Sequence, residues 1–415
     1  MSLLSLGLWS GCGPGAEDVA SPDPSSDAEP PAWVEDSIAP VPPPLDGLEV
    51  APPLVLHERE EDRPTPPRVP AISFQPGFHQ ALRWSHSVGS LTTFRMRIPI
   101  GRAGDRLRVT FRSGDSGLTL QKATVAHAGP SGALASAPVP ITFSGSSGFS
   151  VGARVRVTSD PIDFPVGFRD ELYVSFEVKG ALSVSAINAF PGSFARSGAH
   201  ASTPSAIGGA SWQRAIGVAT IDVEGPTGRV FLALGDSITE GYIDTYNDMR
   251  NAWPTLVQAQ LGVPVINAGV SGQGFWGALD TLDQEVLALS GVTDCLILLG
   301  TNDLSAVTDE QLQARMTRLL DRLQPFCQPW VSTLLPKEKS NHGNYEVVKA
   351  SRLVFNAWVR EQKRAHVIDL EAVTRQPNNI HLFIDGLEVD GIHPSAEGHR
   401  VMAAEATRVL RDNGL

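Results

Sequence analysis

Beyond residue 226 the apolar positions come in unbroken runs: RVFLALG, VPVINAG, DCLILLG, PWVSTLLP and AHVIDL. A strand that is apolar at every position is covered on both faces, as in a parallel sheet flanked by helices. The segments between these runs carry helical spacing. In TDEQLQARMTRLLDRLQP, residues Leu312, Met316, Leu319 and Leu323 share one face, and Thr308 with Gln311 forms a capping-box pair ahead of them. A last helix from about Ala396 carries Val401, Met402, Ala404 and Val409 and runs toward Asn413-Gly414. Five strands alternating with helices predict a three-layer α/β domain over 226–415.

Residues 71–200 follow another rhythm. TTFRMRIPI, DRLRVTFRSG, GARVRVTSDPIDF and DELYVSFEVKG alternate with period two. In RLRVTFR, Leu107, Val109 and Phe111 point one way while Arg108, Thr110 and Arg112 point the other, which predicts strands with one buried face. Gly, Ser, Pro and Asp clusters punctuate the runs, and Gly114-Asp115-Ser116-Gly117 reads as a β-turn. The pattern predicts an all-β sandwich of jelly-roll type, joined to the α/β domain by a linker at 201–225. Residues 13–70 hold 15 of the 32 prolines and are acidic. Such chain cannot bury enough apolar surface to offset its ordering entropy, so it predicts a disordered, semi-stiff spacer.

Charge changes the picture only at the N-terminus. The net charge is -12, but residues 1–62 contain thirteen acidic residues against Arg59 alone, and the remainder is close to neutral. No concentrated basic surface suits nucleic acid. Of the three cysteines, Cys12, Cys295 and Cys327, no spacing suits a metal. Cys295 and Cys327 begin neighbouring predicted strands, and both a disulfide and two buried thiols are compatible with that placement. Cys12 follows MSLLSLGLWSG, a short apolar opening. Residues 1–12 resemble a truncated bacterial lipoprotein signal, which implies lipidation of Cys12, membrane anchoring, and a secreted or cell-envelope location.

Candidate chemistry sits where the continuous runs stop. Gly235-Asp236-Ser237 follows the first of them, NAGVSGQG (267–274) the second, and Gly300-Thr301-Asn302-Asp303 the third. Near the C-terminus VDGIHPSAEGH places Asp390 three residues before His393. Ligands of open α/β sheets bind at the carboxyl ends of the strands. A serine hydroxyl needs a base to become a nucleophile, and an imidazole needs a carboxylate to orient it.

These four blocks, in order and each at a strand end, resemble the SGNH, or GDSL-type, hydrolase family. The preceding β-rich region is similar to the sandwich found in one bacterial subgroup. The resemblance implies a flavodoxin-like catalytic domain with a five-stranded parallel sheet. It implies a serine esterase without metal or other cofactor, with Ser237, His393 and Asp390 as triad. The implied oxyanion hole is the N–H of Ser237, the N–H of Gly272 and the side-chain amide of Asn302. Each such donor is worth about 3 kcal/mol of barrier. The substrate expectation is a short acyl ester, acetyl foremost, on a polysaccharide or glycoside, with Trp84 and Phe190 as candidate stacking platforms. A broad short-chain esterase or lipase-like acylhydrolase is the alternative, and a non-catalytic glycan-binding surface lipoprotein is the reading from another class. Asp236 and Asp303 are expected to brace turns. His399 is expected to be surface or packing, while His381, Asp385 and the loop around His342 are placed near the entrance.

Overall fold

A computed structural model describes residues 71–244, 246–340 and 343–415; Cys12, the 13–70 segment and His342 lie outside the described residues. The first region is all β. Its strands are β1 (Ile72–His79), β2 (Trp84–Pro99), β3 (Gly104–His127), β4 (Val139–Ile141), β5 (Phe149–Val151), β6 (Arg156–Thr158), β7 (Ile162–Val166), β8 (Glu171–Val184), β9 (Ser193–Ser197), β10 (Ala210–Trp212) and β11 (Val218–Pro226). They form one antiparallel sheet in the order β1-β11-β3-β8-β2-β9-β10, with β4 to β7 pairing along β3.

The sheet is curled, its two halves sharing the long strand β3. The first half of β3 pairs with β11, β6 and β7, and its second half pairs with β8, β4 and β5. Gly114–Gly117, expected as a β-turn, does not end a strand: β3 runs through it, with a register shift between Ser113 and Leu118. Residues 201–225 are not a linker, because β10 and β11 lie within them and β11 is flanked by β1 and β3. Leu107, Val109 and Phe111 do face the core, where Phe111 meets Phe176 edge-on at 5.3 Å and Phe176 stacks on Phe94 at 5.7 Å. Phe190 is buried against Phe78, so it is no platform for a ligand. Trp84 is exposed.

The second region supplies the five parallel strands that the apolar runs predict. In chain order its elements are β12 (Phe231–Gly235), α1 (Ser237–Glu240), α2 (Trp253–Leu261), β13 (Val265–Gly269), α3 (Phe275–Leu282), β14 (Asp294–Leu298), α4 (Asp309–Leu323), β15 (Gln328–Ser332), α5 (Tyr345–Glu361), β16 (His366–Ile368), α6 (Leu370–Thr374) and α7 (Ala396–Asp412). The sheet order β13-β12-β14-β15-β16 is that of a common doubly wound fold. Helices α2 and α6 pack on α7, and α3 and α5 pack on α4. Every residue of β12 is buried, and each Phe or Leu so placed contributes about 1.5–3 kcal/mol. The predicted capping box is present at Thr308 and Gln311. Cys295 and Cys327 are joined in a disulfide.

Register is what assembles the site. Gly235 pairs with Gly269 of β13 and with Leu298 of β14, so three strands end at one level. A Cβ at Gly269 would stand 2.2 Å from the backbone nitrogen of Glu240, so only glycine lets α1 cross the strand ends. The β region also reaches this edge. Gln80 bridges to Asn267, the Ala81 N–H donates to the Asn267 carbonyl at 3.1 Å, and β13 is thereby covered along its outer side. Arg112, on the side of β3 opposite the core, forms a buried ion pair with Glu285 just beyond α3. Both regions fall within one compact unit.

Candidate active site

The first block turns directly from strand into helix. Asp236 caps α1, its Oδ1 accepting the Ile238 N–H at 3.0 Å, and Ser237 is the first helical residue. The Ser237 N–H therefore has no intrahelical acceptor and remains a donor. The Ser237 side chain meets His393 from the loop before α7. Its Oγ lies 2.9 Å from His393 Nε2. On the far side of the ring, His393 Nδ1 lies 3.0 Å from Asp390 Oδ2.

Asp390 does more than touch the imidazole. Its Oδ1 accepts the N–H groups of Ile392 at 3.0 Å and His393 at 2.9 Å, which folds the carboxylate back over its own loop. Gly391 permits that loop at φ +77°, a left-handed conformation. Burial pushes the Asp390 carboxyl up, but the hydrogen bonds from His393 outweigh it and hold the group below the usual carboxylate range. The network thus keeps the ring proton on Nδ1, which donates it to the Asp390 carboxylate as a hydrogen bond, and leaves Nε2 as acceptor for the serine hydroxyl. Lys339 Nζ stands 3.9 Å from Asp390 Oδ2, so the loop after β15 does border the site.

The other two blocks arrive through the shared register. Gly272 and Asn302 follow the ends of β13 and β14 as Ser237 follows that of β12. Gly272 has φ +75°. One N–H of the Asn302 amide donates to the Gln273 carbonyl at 3.0 Å, which fixes its plane and leaves the second N–H for a ligand. Asp303 accepts the Phe275 N–H at 2.9 Å and faces Arg315 at 3.1 Å, so it braces the start of α3. Asp236 is deeply buried, and its carboxyl is pushed up to about 7 by desolvation, with the Ile238 N–H and Lys337 acting against that. Asp385 accepts from Gln376, and the His381 N–H donates to Asn379, so neither joins the triad.

Three contributors escape a reading of motifs. Tyr242 sets its ring against the His393 imidazole, centroids 4.2 Å apart and planes tilted by 39°. Glu240 is buried among backbone N–H groups of two distant loops. His399 lies in the core behind the site: its Nδ1 accepts the Trp253 N–H at 3.1 Å and its Nε2 donates to the Tyr242 carbonyl at 3.0 Å. Only His399 had a legible signal, since it shares a helical stripe with Met402, Ala403 and Ala406.

Burial pushes the His399 pKa down to about 4, only partly countered by the Tyr242 carbonyl. Unfolded, the same side chain titrates near 6.5. Below that pH the unfolded chain takes up the extra proton, so stability is lost as pH falls from 6.5 toward 4, by roughly 3 kcal/mol in full. The raised carboxyl of Asp236 acts with opposite sign, adding stability as pH falls through about 7. A His399→Gln variant, whose amide copies both hydrogen bonds, retains the Asp236 contribution and lacks the histidine one. Thermal melts of both proteins between about pH 7 and 4.5 should therefore diverge, the wild type losing several degrees more. Parallel pH curves would show that His399 is not the titrating group.

Residues 233–401 match the model of the GDSL-like Lipase/Acylhydrolase family. No curated protein matches the chain. Among solved structures the chain is similar to a G-D-S-L family protein from Desulfitobacterium hafniense DCB-2, with 25% identity, 44% of this chain and 99% of that chain covered, and a TM-score of 0.38. It is also similar to the esterase EstA from Pseudoalteromonas sp., with 21% identity, coverage of 45% and 98%, and a TM-score of 0.36. A third is Axe2, an acetylxylan esterase from Geobacillus stearothermophilus, with 20% identity, coverage of 44% and 94%, and a TM-score of 0.35. The chain thus carries a domain of the GDSL-like lipase/acylhydrolase family at residues 233–401, and that domain makes it a hydrolase of carboxylic esters.

Proposed function

We propose that Ser237, His393 and Asp390 act as nucleophile, base and orienting carboxylate in the hydrolysis of short acyl esters, acetyl esters of carbohydrates foremost. The observation that carries this reading is the continuous hydrogen-bonded line from Ser237 Oγ through both ring nitrogens to Asp390. In the first step Ser237 Oγ attacks the ester carbonyl carbon while its proton passes to His393 Nε2. The oxyanion is met by the N–H groups of Ser237 and Gly272 and by the free amide N–H of Asn302. Collapse breaks the bond to the alkoxy oxygen, which leaves as the alcohol with the proton from Nε2. Water then attacks the acyl-serine with the same base, releasing the acid and restoring the hydroxyl.

The carbohydrate preference is supported by exposed aromatic side chains that follow two of the blocks along the chain. Trp276, in the first turn of α3, is 70% exposed, and Tyr246, beyond α1, is 91% exposed. Flat exposed rings stack on sugar faces and offer too little apolar surface to bury a long acyl chain. The test is a panel of acetylated xylan, acetyl glucosides and p-nitrophenyl esters of increasing chain length. Highest kcat/KM is expected on the acetyl esters. Trp276→Ala should raise KM on the polymer about 3- to 10-fold, the worth of one stacking contact, and leave p-nitrophenyl acetate unchanged. Peak activity on octanoyl or longer chains would overturn the substrate assignment.

A further inference from the structure

Glu240 occupies the last turn of α1, three residues after the nucleophile, and is only 3% exposed. Its carboxylate has no cation beside it within ion-pair reach among the described residues; backbone amides satisfy it instead. Oε1 accepts the N–H groups of Ala186 at 2.8 Å and Ile187 at 3.0 Å, both in the turn after β8. Oε2 accepts the Ser271 N–H at 2.5 Å. Ser271 immediately precedes Gly272. One side chain therefore ties three pieces of chain together: the helix that carries Ser237, the loop that presents Gly272, and a turn of the β region.

We infer that Glu240 is a positioning residue through which the β region holds the Gly272 N–H in place for the oxyanion. The inference rests on the esterase reading of Ser237 above and deepens it. Two carboxylate oxygens receive three N–H donors, and no neutral side chain of the same shape can do this. Glutamine offers one oxygen; its amide nitrogen would face either Ser271 or the 186–187 pair, donor against donor. One tether must then open. If the Ser271 tether opens, Gly272 loses its fixed position, and stabilisation realised only in the transition state is what suffers. On this account the β region completes the catalytic scaffold, whatever else it binds.

The test is Glu240→Gln in the full chain, assayed with p-nitrophenyl acetate beside wild type and Ser237→Ala, with melting temperature recorded and active sites counted by the acyl burst. The expected result is a 10- to 100-fold lower kcat per active site, with KM within about twofold, because binding before attack does not use the oxyanion donors. Unchanged kcat would overturn the inference. A loss that disappears once activity is expressed per active site would also overturn it, since Glu240 would then serve folding alone. Should Glu240→Gln fail to fold, Glu240→Asp carries the same readout, being one methylene too short to span both loops. If Ser237→Ala retained wild-type activity, the esterase reading itself would fall; a dead Ser237→Ala beside a fully active Glu240→Gln would remove only the role of Glu240.

Discussion

Replacing Ser237 with alanine is expected to lower kcat/KM on p-nitrophenyl acetate by about 10⁵-fold, leaving a residual rate from the oxyanion donors and binding alone. The size follows from what is removed. The hydroxyl forms the covalent bond, and no second nucleophile among the described residues lies on the Nε2 side of His393 in its hydrogen-bond set. The fold should tolerate the change, because Ser237 is held in α1 by its backbone and by the Asp236 cap rather than by its oxygen. Steady-state kinetics on protein of unchanged melting temperature provides the check. Activity equal to wild type would point to a glycan-binding module with background hydrolysis only.

Asp390→Asn should cost about 10³-fold in kcat, somewhat less than a fully buried orienting aspartate because the side chain is one-third exposed and water relieves part of the mismatch. The asparagine oxygen can keep the N–H bonds from Ile392 and His393, which Asp390 now makes through Oδ1. Its NH₂ group then replaces Oδ2 opposite His393 Nδ1. Facing a donor, Nδ1 must become the acceptor, and the ring proton moves to Nε2, where the serine hydroxyl needs a lone pair. Turning the amide over would restore the imidazole and strip the loop of both caps. The expected signature is a collapse of kcat with the fold intact. A loss below tenfold would show that another group orients the ring.

The parts of the fold that the sequence discloses are those with local causes. Unbroken runs such as FLALG reveal a strand covered on both faces, and Thr308 with Gln311 reveals a helix start. The four blocks are legible because each follows the end of such a run, and the register of β12 with β13 and β14 does the rest. What is not legible depends on partners distant in sequence. Gly114–Gly117 has turn chemistry, yet pairing with β8 on either side carries β3 through it. Val218–Pro226 sits next to a Gly- and Ser-rich stretch and looks like linker, yet β1 and β3 claim it as a central strand. The pairing of Cys295 with Cys327 requires knowing that β14 and β15 are neighbours. Glu240 gives no sign of itself, because its donors come from residues 186–187 and 271.

The most direct measurement is chemical. Diethyl p-nitrophenyl phosphate phosphorylates an activated serine and mimics the charge of the tetrahedral intermediate. Treatment of the protein followed by peptide mass spectrometry should place one diethylphosphoryl group on the peptide containing Ser237, with esterase activity falling in step with modification. Full activity in protein modified at Ser237, or inactivation that tracks a label on any other residue, would contradict the account.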